Sequence, residues 1–299
     1  MAKKRKKAKR NMWGTGINPR YFHWSQLKFY AYLVPIAVMM MIPILYIFMT
    51  AFKPAEELFA FPPRLFVRNP TLDNFANLFQ VSADTAVPAS RYLVNSIIVT
   101  LLVVALSIIM AAATGYVLSK KRFKGKHTLL EINNMALMFV GVAVAIPRYY
   151  IIVFLGLKNS FWANVIPLLA MPVGLFLVKQ FIDQLPDALV EAAVIDGATD
   201  RQILFKIIMP LVKPALATVA IMAFQTAWTA TEASTQYIES NNLKTFAFYI
   251  STLSNTTGNT VAGQGIAAAG SLLLFLPNLI LFIIMQSQVM NTMTHSGIK

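Results

Sequence analysis

"EAAVIDGATDRQILFKIIMPLVKP", residues 191–214, is a polar, helix-capping stretch in a chain that otherwise consists largely of apolar segments. Pro186, just before it, suits the first turn of a helix, and Gly197 suits the left-handed residue that ends one. Thr199 and Gln202 have the spacing of a capping box, which marks the start of a second helix. The sequence therefore predicts two short helices joined at Gly197, which we call the elbow (residues 186–210).

The second of these helices carries one apolar stripe, formed by Ile203, Leu204, Ile207 and Ile208. Pro210 and Pro214 are expected to end it and to introduce the next apolar segment, because proline has no N–H for a helix. Together the two helices present apolar and carboxylate side chains, which is typical of a docking surface. A loop that lies against a membrane face without a partner has the same spacing, and the pattern does not separate the two interpretations.

The rest of the chain has the composition of a membrane protein. Of its 299 residues 57% are hydrophobic and 13% are charged, and the mean hydropathy is +0.60. A helix needs about 20 apolar residues to cross a hydrocarbon core of about 30 Å. Six segments meet this requirement, near Phe29–Phe52, Leu93–Leu118, Asn134–Leu157, Trp162–Ile182, Pro214–Ala233 and Ile266–Val289. We therefore predict an all-α membrane protein with six transmembrane helices and the elbow between the fourth and fifth.

The sequence lacks the residues that several kinds of chemistry require. It has no cysteine, which excludes disulfides, thiolate metal sites and cysteine nucleophiles. Its histidines, His23, His127 and His295, lie in flanks and tails and form no metal-binding motif. It also lacks the G-x-x-x-x-G-K loop that holds nucleotide phosphates, so any ATP has to be handled by a partner. We expect no metal and no cofactor on this chain.

The lysines and arginines are sorted by loop. Nineteen fall before the first span, between spans two and three, from Lys179 at the end of span four to the start of span five, or after the sixth, whereas six fall in the other loops. The positive-inside rule then places both termini and the elbow in the cytoplasm. We interpret the basic run Lys3–Arg10 as a topology signal near anionic lipid, not as a nucleic-acid-binding arm. The expected organisation is a basic arm (1–28), a transmembrane domain (29–290, with a coupling loop at 183–213) and a tail (291–299), without a cleavable signal peptide.

The elbow resembles the EAA loop of the membrane permeases of binding-protein-dependent ABC importers. That pattern runs E-A-A, then D-G-A, then a hydrophobic stretch that ends in I-x-x-P. The matching residues are Glu191, Ala192, Ala193, Asp196, Gly197, Ala198, Ile207 and Pro210, while Leu204 and Met209 replace the usual Phe and Leu. Segments such as AFKPAEELF, RYLVNSIIVT and FIDQLP resemble the carbohydrate (maltose-type) branch, and the resemblance covers nearly the whole chain from about residue 30.

The resemblance implies the type I permease fold of ABC importers, in a multi-pass protein of the bacterial cytoplasmic membrane. In that family the elbow helices act as a coupling helix in a groove of a cytoplasmic ATPase, so Glu191 would offer a carboxylate to a basic residue there. The implied partners are a homologous second permease in a heterodimer, two ATPase subunits that hold ATP and Mg, and an extracellular substrate-binding protein. The implied cargo is a sugar or oligosaccharide, and a loop near Thr235–Gln264 is expected to reach toward the binding protein.

Polar residues within the predicted spans are candidates for the substrate pathway. The fifth span carries Gln225, Trp228, Thr229 and Glu232, so that Trp228 could stack on a sugar ring while the others exchange hydrogen bonds with it. Arg148 in the third span is expected at a depth similar to that of Trp228. Two alternatives stay open: these groups hold helices together, or Arg148 and Glu232 pair with each other near the outer rim.

Other functions remain possible at this point. Arg148 and Thr229 depart from the residues that many family members carry, which leaves room for an anionic oligosaccharide, a polyol or a phosphodiester as cargo. An ion-driven secondary carrier would need acidic residues in the middle of the membrane, whereas the carboxylates of this chain lie at span edges and in loops. A membrane enzyme would need a cysteine, a histidine cluster or a buried carboxylate pair, and the sequence offers none of these.

Overall fold

The computed structural model describes residues 26–62, 64–80, 87–256 and 260–296, and all regular secondary structure in these residues is helical. The helices are α1 (Leu27–Ala51), α2 (Ala55–Leu58), α3 (Asp73–Gln80), α4 (Ala89–Lys120), α5 (Lys126–Ala136), α6 (Ala145–Phe154), α7 (Pro172–Asp183), α8 (Asp187–Ile195), α9 (Asp200–Gln202), α10 (Met209–Leu211), α11 (Lys213–Trp228), α12 (Glu232–Gln236), α13 (Phe246–Thr256) and α14 (Val261–Ser296). The predicted all-α fold is confirmed. Residues 1–25, which make up most of the predicted basic arm, lie outside the described residues.

Three of the six predicted spans are single long helices in the structure. The stretches Leu27–Ala51, Ala89–Lys120 and Gly263–Gln286 are each long and apolar enough to cross a membrane. Two further stretches qualify only if a bent pair of helices counts as one span, which gives up to five by length and composition. The predicted number of spans is therefore roughly consistent with the structure, and the differences lie in how continuous the helices are.

The third predicted span, Asn134–Leu157, is not one helix. α5 ends at Ala136, a series of turns follows, and α6 begins at Ala145. Pro147 explains part of this break, because a helix that begins at Ala145 places the missing N–H of Pro147 in the first turn, where no intrahelical partner is required. The intervening run around Gly141 also contains valines and a glycine, which are weak helix formers.

The fourth and fifth predicted spans are bent. In the fourth, two 3-10 turns (Phe161–Asn164 and Ile166–Leu169) precede α7, and the axis turns by 45° where Pro172 begins α7. In the fifth, α11 ends at Trp228 instead of continuing to Ala233, and α12 begins a separate short helix at Glu232. An 86° bend separates the stretch Asp200–Leu211 from the stretch Lys213–Gln236.

The structure adds detail to three further regions. The predicted loop Thr235–Gln264 contains helix α13, because Phe246, Ile250 and Leu253 form an apolar face that is buried. The last helix continues to Ser296, past the predicted start of the tail at residue 291. Pro210 does not end the second elbow helix, which runs through it to Leu211 after a π-helical segment, Ile203–Ile208.

Helix α4 is the centre of the fold. It packs against α7 and α11, and α11 in turn packs against α14. The largest buried cluster joins α4, α7 and α11 to the elbow through small and branched side chains, including Ala112, Val178, Ile182, Ala215 and Val219. α1 is different, because only Thr50 and Ala51 of its residues are buried within this chain. An apolar helix with so much exposed surface suits contact with lipid or with another apolar protein surface.

Asn74 of α3 joins the end of α1 to α14. Its side-chain amide donates to the carbonyl oxygens of Ala51 at 3.0 Å and Lys53 at 2.7 Å, which closes the C-terminal end of α1. Gly265 of α14 lies directly against this amide, so that a Cβ atom built there would stand only 2.5 Å from Asn74 Oδ1. A residue without a Cβ is therefore required for α14 to approach α3 this closely.

We expect Gly265→Ala to lower the thermal unfolding temperature of the purified protein in detergent. The added methyl group forces Asn74 away from the two carbonyl groups, and overpacking of this kind costs about 1–3 kcal/mol. Gly141→Ala is the matched control, because nothing lies within 4 Å of a Cβ at that position. Equal unfolding temperatures for the two variants would contradict the assigned role of Gly265.

Candidate functional site

The elbow has the backbone geometry that its sequence predicts. Gly197 has a φ of +79°, in the left-handed region, directly after α8. Its N–H donates to the carbonyl oxygen of Val194 at 3.0 Å, and the N–H of Ala198 donates to that of Ala193 at 2.9 Å. These are the two hydrogen bonds of a Schellman motif, which satisfies carbonyl groups that a helix end leaves open. The turn is therefore fixed by its own backbone, and a side chain at residue 197 would be strained.

The second elbow helix starts at the predicted capping box. Thr199 Oγ1 accepts from the N–H of Gln202 at 3.4 Å, and Gln202 Oε1 accepts from the N–H of Thr199 at 2.8 Å. The apolar stripe that follows packs into the large cluster under the elbow. Ile203 and Ile208 are fully buried and Leu204 is 9% exposed, while Ile207 packs against the same cluster.

The opposite face of the elbow is exposed. Glu191, Ala192 and Asp196 lie on the surface, and Ile195 is 85% exposed beside them. Ala193 is the exception in this helix, because it is buried against the cluster below. One side of the elbow is thus packed against the rest of the chain, and the other side exposes apolar and acidic side chains. Such a surface can accept a groove with basic and apolar walls.

Two lysines at the end of α4 contact the two elbow helices. Lys120 Nζ donates to Asp187 Oδ1 at 2.6 Å and to the carbonyl oxygen of Leu185 at 2.6 Å. Lys121 Nζ donates to Asp200 Oδ1 at 2.5 Å, and the hydroxyl group of Tyr116 donates to the same oxygen at 3.2 Å. These hydrogen bonds lower the pKa of both aspartates from its ordinary value, and the Asp200 contact raises the pKa of Lys121.

These contacts are not evident from the sequence. Lys120 and Lys121 enter the sequence argument only through the count of basic residues between spans two and three. Their pairing depends on how α4 and the elbow meet, about 65 to 80 residues apart in the chain. The one available signal was that both aspartates begin helices near a loop rich in lysine.

Arg148 and Glu232 lie together at the other end of the bundle. Arg148 Nη1 donates to Glu232 Oε2 at 2.7 Å, and the Tyr237 hydroxyl group donates to Glu232 Oε1 at 2.9 Å. The two charged side chains are 30% and 37% exposed, so that water still reaches both of them. Of the two alternatives that the sequence left open, the structure has the mutual ion pair of Arg148 and Glu232.

Trp228 is engaged within this chain. Its ring nitrogen donates to the carbonyl oxygen of Leu274 in α14 at 3.0 Å, its ring stacks on Phe224, and the residue is only 6% exposed. Gln225 and Thr229, from the same predicted site, are exposed on α11. Stacking of Trp228 on a sugar therefore stays a prediction that requires this side chain to leave its present partners.

Comparisons with known proteins bear on these features. The family model described as "Binding-protein-dependent transport system inner membrane component" matches residues 103–289. The "Inner membrane ABC transporter permease protein YcjP" of Escherichia coli is 27% identical, over 92% of this chain and 97% of its own length. The "Arabinooligosaccharides transport system permease protein AraQ" of Halalkalibacterium halodurans is 30% identical, over 88% of this chain and 93% of its own length.

A solved structure has the same fold. One chain in the crystal structure of a bacterial ABC transporter involved in the import of the acidic polysaccharide alginate superposes with a TM-score of 0.74 at 21% identity, covering 89% of this chain and 98% of that one. The matched family consists of transport components, so neither the ion-driven carrier nor the membrane enzyme is supported. Since the family model spans more than half of the chain and includes the elbow, the chain belongs to the inner membrane components of binding-protein-dependent transport systems, as a multi-pass membrane permease.

Proposed function

We propose that this chain is one permease subunit of an ATP-driven importer of sugars or oligosaccharides, in which it forms half of the pathway across the membrane. The observation that carries this proposal is the elbow. One of its faces is fixed to α4 and α7 by buried Ile203 and Ile208, and its other face exposes Glu191 and Ile195. The elbow can pass a movement of a cytoplasmic partner to the transmembrane helices, because its buried face packs against those helices.

The partner on the exposed face is a cytoplasmic ATPase subunit, and ATP and Mg belong to that subunit. Glu191 offers a carboxylate for a charge-assisted hydrogen bond. The small side chain of Ala192 leaves room beside it for the wall of a groove. Gly197 turns the chain away after one short helix, so that α8 protrudes as the part that enters a groove. Ala193, Ala198 and Ile207 pack against the buried cluster on the other side, whereas Pro210 is exposed within α10.

The elbow and both termini lie in the cytoplasm of a bacterial cell. The positive-inside rule supports this arrangement, and so does the contact of Lys120 with Asp187, because it puts the basic turn between α4 and α5 at the same end of the bundle as the elbow. The ion pair of Lys158 with Glu239, 2.8 Å, lies among residues of the loops that the same rule assigns to the outside. In the opposite orientation the most basic loops would lie outside the cell, against the positive-inside rule.

A homologous second permease and the membrane lipids cover the apolar surfaces that this chain leaves open. α1 exposes most of its side chains, and α6 exposes Ile146, Tyr150 and Phe154 by more than half. The complete importer also has two ATPase subunits and an extracellular binding protein. The family description names a binding protein, and a related transporter structure was solved with a periplasmic protein that holds an alginate pentasaccharide.

A carbohydrate is the cargo that the comparisons favour. The AraQ relative, 30% identical along nearly its full length, is named for arabinooligosaccharides. Exposed Gln225 and Thr229 on α11 can exchange hydrogen bonds with sugar hydroxyl groups. An acidic oligosaccharide is the second candidate, but the charge of Arg148 is already neutralised by Glu232, so this residue gives that cargo no particular support.

We expect Glu191→Ala and Gly197→Val to abolish ATP-coupled uptake while the protein still inserts into the membrane. The first change removes a charged hydrogen bond, which contributes about 1.5–3 kcal/mol, so uptake should fall about tenfold or more. The second puts a β-branched residue at a positive φ, which deforms the elbow. Uptake of radiolabelled oligosaccharide into proteoliposomes, which contain the complete importer, measures both effects.

Glu131→Ala is the control for the loss of a carboxylate. Glu131 is exposed on α5, where its carboxylate lies 3.2 Å from His127 Nδ1, and its removal should leave uptake unchanged. Normal coupled uptake in both the Glu191 and the Gly197 variants would refute the proposed attachment to an ATPase.

We also expect Arg148→Met to lower stability without changing the choice of cargo. A partly solvated ion pair contributes about 1 kcal/mol or less, so the unfolding temperature should fall by only a few degrees. Uptake of neutral and of acidic oligosaccharides should change by the same factor, because Arg148 serves Glu232 and not the cargo. A selective loss of the acidic cargo would instead identify Arg148 as a substrate-binding residue.

A further inference from the structure

The C-terminal end of α4 contacts the elbow on both sides of Gly197. Lys120, the last residue of α4, is bonded to Asp187, the first residue of α8. Lys121 is bonded to Asp200, the first residue of α9. The two contacts thus connect one point on α4 to the start of each elbow helix.

Helix electrostatics favours both contacts in this arrangement. Asp187 and Asp200 stand at the positive N-terminal ends of their helices, while Lys120 stands at the negative C-terminal end of α4. The Lys120 side chain is only 6% exposed, so its stem is packed between α4 and the elbow, although Asp187 itself is 77% exposed. The pKa of each aspartate is lowered by its lysine, so both carboxylates stay charged at neutral pH and lose their contacts only in acid.

We propose that the pairs Lys120–Asp187 and Lys121–Asp200 form a two-point clamp that passes the movement of the elbow to α4. The buried stripe holds the second elbow helix against α4 and α7, and the two ion pairs add a contact from the end of α4 to the start of each elbow helix. α4 then carries the movement inward, because it packs against α7 and α11 along its length. The clamp rests on the proposed attachment of the elbow to an ATPase, and it adds the route by which that attachment reaches the spans.

The size of these interactions separates a role in coupling from a role in folding. Exposed ion pairs contribute about 0–1 kcal/mol to stability. Burial of the apolar stripe under the elbow contributes far more to stability, because several branched side chains are removed from water there. Loss of both lysine charges should therefore leave the protein folded and inserted. It should nevertheless weaken the joint movement of the elbow and α4, because it leaves only the Tyr116–Asp200 hydrogen bond of the polar contacts described above between α4 and the two helix starts.

The test uses the complete importer in proteoliposomes, with its ATPase subunits and binding protein. In the variant that carries Lys120→Met and Lys121→Met, which keep the apolar stems, we expect uptake per ATP hydrolysed to fall about fivefold or more, the lower end of typical coupling between sites. The unfolding temperature and the membrane level should change little. Lys158→Met is the matched control, since its ion pair with Glu239 lies away from the elbow and its loss should leave the ratio unchanged.

A covalent link in place of one contact gives the second measurement. The chain has no cysteine, so Lys121→Cys with Asp200→Cys introduces one pair that a bifunctional thiol reagent with a cleavable disulfide spacer can join. We expect the open pair to be uncoupled, the joined pair to regain coupled uptake, and reductant to abolish it again. A purely structural role predicts no change in the ratio on joining or on cleavage.

The two proposals fail in different ways. An unchanged ratio in the double methionine variant, together with loss of uptake in Glu191→Ala, would overturn the clamp and leave the attachment to the ATPase in place. Normal coupled uptake in both Glu191→Ala and Gly197→Val would overturn the attachment, and the clamp with it.

Discussion

The arrangement of this protein depends on the burial of one face of a short helix. Ile203, Leu204 and Ile208 pack under the elbow against α4 and α7, and this apolar contact holds an otherwise polar segment in one orientation. The Schellman motif at Gly197 and the capping box at Thr199 then satisfy the backbone groups that the turn would leave open. An exposed surface can be mechanically useful only when its other side is fixed, and here the fixing is done by branched aliphatic side chains.

The local features were predictable from the sequence because each rests on residues close together in the chain. The capping box, the glycine at the helix end and the apolar stripe involve separations of seven residues or fewer, and the structure has all of them. The break within the third predicted span was not predictable, because hydropathy measures how apolar a segment is and not whether its helix is continuous. Pro147 and the turns around Gly141 interrupt that helix while the segment stays apolar.

The long-range contacts were not predictable in the same way. Arg148 with Glu232 was one of two open alternatives, and the partners of Lys120, Lys121 and Trp228 depend on which helices meet and at what height. A residue whose chemistry suits a ligand can instead bind another part of its own chain. The ring nitrogen of Trp228, for example, donates its hydrogen bond to the carbonyl oxygen of Leu274. Composition points to residues able to bind, whereas packing decides which of them remain available.

The bend after the elbow has a geometric consequence. The axis turns by 86° between the stretches Asp200–Leu211 and Lys213–Gln236, so a sideways displacement of the first stretch becomes a change of tilt in α11. α11 has 16 residues, about 24 Å, so a tilt of about 5° would shift its far end by about 2 Å. The Trp228 hydrogen bond to Leu274 lies at that far end, at 3.0 Å. With such a tilt, either α14 moves together with α11, or this hydrogen bond has to break.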